Sequence, residues 1–155
     1  MTTPSKTAYP AGSRWWFFLT AFITGGVVMA LEILGSRLLA PVFGTSLFVW
    51  GALIGVVLAA MSAGYAMGGW LADRRSPGIV LTILLLGSGV WTLMLASIGQ
   101  PVVFNVSQWT ADPRLGPCLA ASVLLAVPAF CLSGVLPALL RLSIADMGHL
   151  GRHTG

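Results

Sequence analysis

Apolar residues run through this chain in four long stretches, separated by short turns that carry nearly all of its charge. The uncharged stretches cover residues 15–31, 38–72, 76–111 and 115–140. A helix that crosses a bilayer needs about 20 mainly apolar residues, so each stretch is long enough for one. Turn residues narrow the predicted spans to residues 15–39, 47–71, 79–98 and 117–140. The pattern predicts an all-α, polytopic membrane protein with four transmembrane helices.

Prolines punctuate the pattern in two ways. Pro41 is predicted to end the first span, because the residue before a proline avoids the helical conformation. Pro77, followed by glycine, marks the turn before the third span. Pro128 and Pro137 instead lie inside the fourth span, where each removes a backbone hydrogen bond and bends the helix. Such a bend is a fixed packing feature or a hinge.

The same pattern divides the chain into a membrane domain and two tails. Residues 1–13 are predicted to be a flexible cytoplasmic tail, residues 14–142 the four-helix transmembrane domain, and residues 143–155 a second cytoplasmic tail. The longest predicted loop covers residues 99–116. Its apolar residues favour a position along the membrane interface.

Composition supports the membrane class and changes the meaning of the positive charge. Hydrophobic residues make up 57% of the chain, charged residues only 8%, and the mean hydropathy is +0.92. A soluble domain carries about a quarter charged residues, so that class is excluded. The net charge of +4 comes from bases at helix ends, which indicates topology rather than nucleic-acid binding.

The distribution of bases predicts the orientation. With the N-terminus inside, only Arg37 and Arg114 lie outside, and six bases are cytoplasmic: Lys6, Arg14, Arg74, Arg75, Arg141 and Arg152. Cytoplasmic segments of membrane proteins are enriched in Lys and Arg. Both termini are therefore predicted to be cytoplasmic.

Small residues recur every fourth position in the second span, in two rows. One row is Gly51, Gly55, Ala59 and Ala63; the other is Ala60, Gly64, Gly68 and Ala72. Rows of this kind let helix backbones approach closely in lipid. Two rows predict neighbours on two sides and make this span the predicted packing centre. A narrower interpretation is an interface between copies of the chain.

Glu32 is the only acid predicted at membrane depth, and Arg37 follows it. Five residues place the two side chains about 140° apart around a helix, which is poor geometry for a pair. A structural interpretation is that Glu32 bonds to a neighbouring helix or meets Arg37 where the span unwinds. The functional interpretation is a site for a cation or a proton, because ionisable groups in a membrane are costly and are usually functional.

Charged residues also cluster between the second and third spans. Asp73, Arg74 and Arg75 have a simple interpretation as a positive-inside stop signal. A sharper one is a conformational latch, in which Asp73 caps the third span or pairs with Arg141 at the same depth.

The remaining reactive side chains carry no predicted site. Cys118 and Cys131 lie about 20 Å apart along one helix, which excludes a disulfide between them and leaves them as packing residues. His149 and His153 are predicted to be solvated in the tail. The sequence predicts no metal site, no cofactor, no nucleophile set and no phosphate-binding loop.

The segment LEILGSRLLAPVFGTSLFVWGALIGVVLAAMSAGYAMGGWLADRR resembles the N-terminal membrane region of the membrane-bound spermidine synthase-like family, also called fused major-facilitator/spermidine synthases. The resemblance is densest over residues 31–77, and it returns at Gly151-Arg152. Within it, Gly69, Asp73, Arg74 and Arg75 resemble the cytoplasmic loop motif of major facilitator transporters.

In that family, membrane spans precede a soluble aminopropyltransferase domain with a glycine-rich nucleotide loop and several substrate-binding acids. This chain has no G-x-G-x-x-G and only four acids: Glu32, Asp73, Asp112 and Asp146. The resemblance therefore implies the membrane portion without its catalytic domain, and no enzyme activity for this chain alone. The expected role is to anchor, or act with, a polyamine-type synthase at the bacterial inner membrane.

The expected partners are the lipid bilayer, a spermidine synthase-like soluble domain or further membrane spans, and further copies of the chain, but no nucleic acid. The alternative is a fragment or oligomeric subunit of a major-facilitator-like transporter for a small cation, with Glu32 in its path. A third reading is a truncated gene product.

Overall fold

A computed structural model describes residues 12–110, 112 and 114–151 of the chain, and the side chains of residues 15–110, 112 and 114–142. It contains four helices: α1 (Gly12–Phe43), α2 (Leu47–Arg74), α3 (Pro77–Trp109) and α4 (Leu115–Gly151). All four are long and apolar enough to cross a membrane, and the described residues include no strand. The predicted all-α, four-helix membrane architecture is confirmed.

The first helix ends at a glycine rather than at the predicted proline. Pro41 lies inside the last turn of α1, where the loss of one backbone hydrogen bond does not stop the helix. Gly44 then adopts a positive φ of 76°, and its N–H donates to the Ala40 carbonyl at 2.9 Å. A left-handed glycine is a common helix terminator, because it has no Cβ to clash in that conformation.

Two helices are longer than the sequence predicted. The predicted loop 99–116 is wrong in its first part, since α3 continues through Pro101 to Trp109. Gly99 packs against Leu38 of α1 and Val103 is fully buried, so packing holds this part of α3 in helical form. At the other end of the chain, α4 continues through the predicted tail to Gly151. The tail predictions for residues 1–11 and 152–155 lie outside the described residues.

The packing centre of the bundle is α4, which corrects the prediction that it is the second span. In an apolar segment of 18 residues taken from each span, 56% of the residues of α4 are buried, against 17–22% for the other three helices. Leu124, Leu125 and Val135 on α4 are almost completely buried. The four spans have nearly the same composition, so the hydrophobic pattern did not distinguish the one that all others surround.

The most extensive contact is between α2 and α4, and glycines form its closest part. A Cβ added at Gly68 would lie 2.5 Å from the carbonyl oxygen of Gly134. A Cβ added at Gly64 would collide with the Ser133 hydroxyl and the Phe130 carbonyl. The two backbones therefore touch directly, an arrangement that only small residues permit.

A tryptophan of α3 compensates for a proline of α4. Pro128 is buried inside α4 and has no N–H, so the carbonyl of Leu124 loses its helical partner. The Trp91 indole Nε1 donates a hydrogen bond of 3.1 Å to that carbonyl. The bond satisfies a backbone group at membrane depth, where no water is present to do so.

Candidate functional site

Glu32 lies close to the middle of α1. The spanning part of this helix, Trp15–Phe43, has 29 residues and its midpoint at Met29. Glu32 is three residues further on, about 4.5 Å along the helix axis at 1.5 Å per residue. Its side chain is half-buried. A carboxyl group at this depth is costly unless a partner compensates for it.

The structure does not bring Glu32 and Arg37 together. The helix is continuous from Gly12 to Phe43, so the separation of about 140° persists and the span does not unwind between them. Among the described residues the only ion pair is Arg141 with Asp73. Among the described residues, the one side-chain hydrogen bond between two helices is donated by Trp91 and does not involve Glu32. Neither predicted structural partner of Glu32 is therefore found among the described residues.

A cleft of about 140 Å³ opens beside Arg37, at the turn that joins α1 to α2. Its lining comes from α1, the turn and the first turn of α2: Ser36, Arg37, Ala40, Gly44, Thr45, Val49 and Trp50. The walls are mainly apolar, and the single charged group is the Arg37 guanidinium. The Ser36 hydroxyl donates to the Ile33 carbonyl at 2.8 Å.

The predicted loop motif assembles at the opposite end of the bundle. Arg141 Nη2 lies 2.6 Å from Asp73 Oδ1, so the pairing predicted from their equal depth is present. The Arg74 guanidinium lies 4.2 Å from the centre of the Trp70 ring. Gly69 faces α4, and a Cβ added to it would lie 3.8 Å from the Cβ of Pro137. The ion pair and the approach of Gly69 to Pro137 tie the end of α2 to α4, whereas the Arg74–Trp70 contact lies within α2.

Asp73 does not cap α3, which corrects the other predicted role. The N-cap is Ser76, whose hydroxyl accepts a hydrogen bond from the Ile79 N–H at 3.4 Å. Asp73 instead lies in the last turn of α2, which continues to Arg74. The exposed Arg75 follows as the C-cap, and its N–H donates to the Leu71 carbonyl at 2.9 Å.

The two predicted packing rows of α2 have different surroundings. Gly64 and Gly68 lie in the contact with α4. Gly51, Gly55 and Ala59 are exposed, and a Cβ added at either glycine meets nothing within 4 Å. Within the described chain, only one row has a helical neighbour.

Sequence reasoning missed two contacts that organise the bundle. The Trp91 bond joins residues 33 positions apart, and its only signal in the sequence is that Pro128 must leave a carbonyl without a partner. At the cleft end, the Arg114 guanidinium lies 5.0 Å from the centre of the Phe48 ring and connects the start of α4 to α2.

The described residues include no cluster of three or more His, Cys, Asp or Glu side chains that could hold a metal ion. Cys118 and Cys131 are both free thiols. His153 and the side chain of His149 lie outside what the structure describes.

Comparisons with protein-family models, with characterised proteins and with solved structures found no match to this chain. The relation to the spermidine synthase-like membrane proteins therefore stays a prediction from the sequence.

Proposed function

We propose that this chain is the membrane portion of a spermidine synthase-like protein and that it anchors, or acts with, a polyamine-type aminopropyltransferase at the bacterial inner membrane. The observation that carries the proposal is the course of α4. This helix forms the centre of the bundle, packs against the backbone of α2 at Gly64 and Gly68, and continues to Gly151. The ten residues after Arg141 extend it by about 15 Å, which offers a point of attachment for a domain or partner.

The interior of the bundle favours an anchoring role over a transport role. Leu39, Leu124 and Val135 are completely buried, and α2 and α4 meet through their backbones. An interior packed with apolar side chains provides stability but no polar surroundings for a charged solute. In this proposal the chain itself is not catalytic, and the aminopropyl transfer is the work of the associated synthase.

The proposal requires that the end of the bundle with the Asp73–Arg141 pair faces the cytoplasm. The excess of bases at that end supports this orientation. Ser76 and Thr45 are exposed turn residues at opposite ends, and each can carry a single cysteine after the native cysteines are replaced. A membrane-impermeant maleimide should label Thr45→Cys on intact cells and Ser76→Cys only after permeabilisation. The reverse pattern would exclude a cytoplasmic synthase at this end.

The association is tested by fractionation. Tagged polyamine-type aminopropyltransferases of the source organism are expressed with and without this chain, and spermidine formation from putrescine and decarboxylated S-adenosylmethionine is measured in membranes and cytosol. The chain should move activity of its partner into the membrane fraction, while the purified chain alone forms no spermidine. An equal distribution with and without the chain, or turnover by the purified chain, contradicts the proposal.

One observation favours a second function, transport of a small cation. Glu32 is about 4.5 Å from the midpoint of its span and has no ion-pair partner among the described residues. If it binds a cationic amine, spermidine should raise the melting temperature of the wild type and not of Glu32→Gln, at matched ionic strength. Asp112→Asn, which removes an exposed acid, is the control and should keep the shift. Equal shifts in all three proteins would mean general charge screening and would remove this candidate.

A further inference from the structure

Arg37 differs from most of the described arginines in having no compensating partner. Arg141 is paired with Asp73, and Arg74 and Arg114 lie over aromatic rings. Within the described residues, Arg37 has neither kind of contact, and the same is true of Arg75. Both side chains are exposed, but Arg75 stands at the end of α2, whereas Arg37 also lines a mainly apolar cleft.

The position of the cleft along the helices places it at the edge of the hydrocarbon. Arg37 is eight residues, about 12 Å, from the midpoint of its span, and Trp50 is about 16 Å from the middle of α2. The hydrocarbon half-thickness is about 15 Å, and the headgroup layer begins beyond it. A guanidinium at this depth reaches lipid phosphates, and a tryptophan is in its preferred layer.

We propose that this cleft binds the phosphate group of an anionic phospholipid, with Arg37 as the principal contact. A guanidinium donates several charge-assisted hydrogen bonds and suits phosphate better than any other side chain. The exposed hydroxyl of Thr45 provides a further donor. The Ser36 hydroxyl is already used as a donor to Ile33, so it contributes no second one. The first turn of α2 adds partial positive charge but does not define the site.

The apolar part of the cleft identifies the phosphate as that of a lipid. Ala40, Val49 and Trp50 form walls that suit the glycerol and acyl portion of a phospholipid. A free phosphate ion would leave these walls uncovered and would lose its hydration to enter. The lipid places its phosphate at this depth without that loss. This inference is independent of the polyamine proposal.

The test measures lipid-dependent stability of the full chain in a neutral detergent. Phosphatidylglycerol should raise the melting temperature of the wild type more than phosphatidylcholine does. Arg37→Gln should weaken the apparent affinity for phosphatidylglycerol about tenfold, as expected for losing charged hydrogen bonds. Arg75→Gln removes the same charge at the opposite end of the bundle and should leave the melting-temperature shift by phosphatidylglycerol unchanged.

A second variant keeps the test decisive if Arg37→Gln does not fold. Thr45→Glu introduces a negative charge at an exposed turn position, and it should abolish the stabilisation by phosphatidylglycerol. The proposal is overturned if Thr45→Glu keeps the full shift, or if Arg75→Gln loses as much as Arg37→Gln. It is also overturned if inorganic phosphate at matched ionic strength stabilises the wild type as well as phosphatidylglycerol does.

Discussion

The two sides of α2 carry almost the same small residues but have opposite surroundings. On one side, Gly64 and Gly68 touch the backbone of α4 so closely that a methyl group would not fit. On the other, Gly51 and Gly55 leave open space where a Cβ would meet nothing within 4 Å. The spacing of small residues therefore shows where close approach is permitted, and the partner helix decides where it occurs.

The largest effect should come from filling the inner side. Gly64→Leu forces α2 and α4 apart, because the new side chain would collide with Ser133 and the Phe130 carbonyl. Overpacking against backbone that cannot move should cost about 3 kcal/mol or more. The measurement is the yield of monodisperse protein in detergent and its unfolding in a mixed-micelle titration.

The matched control is Gly55→Leu, which makes the same substitution in the same helix on the outer side. It should behave nearly as the wild type does, because the added side chain enters open space. Equal losses from the two variants would mean that both sides of α2 are covered.

A smaller effect should come from the contact between α3 and α4. Trp91→Phe removes the indole donor and leaves the Leu124 carbonyl without a partner, which should cost about 1–3 kcal/mol. Pro128→Ala provides the test of the cause, since alanine restores a backbone N–H for that same carbonyl. In the Pro128→Ala background, Trp91→Phe should therefore cost less. If its cost is unchanged, the ring and not the hydrogen bond stabilises this contact.

The smallest effect should come from the Asp73–Arg141 pair at the end of the bundle, where both side chains are about half-exposed. Exposed ion pairs contribute about 0–1 kcal/mol, so Asp73→Asn should lower the free energy of unfolding by no more than that. High salt should reduce the difference further. The double variant with Arg141→Gln gives the coupling energy, and a coupling well above this range would make the pair a major support of the bundle.

The elements were predictable where local chemistry decides them. Four apolar stretches predicted four helices, and equal depth predicted the contact of Asp73 with Arg141. Pro41 misled the prediction of the end of α1, and α3 likewise continues past Pro101. At Pro101 the local preference to stop a helix is outweighed because the following turn is packed, as the burial of Val103 shows.

The arrangement of the helices was not predictable, because it depends on contacts distant in the sequence. The central position of α4 and the bond from Trp91 to Leu124 arise only when three helices assemble. The cleft was not predictable either: Arg37 was singled out beside Glu32 in the first span, but Thr45 and Trp50 become its neighbours only through the turn at Gly44.

The comparison of the two sides of α2 is tested most directly by oxygen accessibility in lipid vesicles at low protein density. Spin labels are attached to single cysteines at Gly51, Gly55 and Ala59, with Leu93 on α3 as an exposed reference near the middle of its helix. Collision with dissolved oxygen should be as frequent at Gly55 and Ala59 as at Leu93, because the outer row faces lipid. Low accessibility at these positions would show that a second copy or another helix covers the outer row, and would contradict a bundle in which α2 packs on one side only.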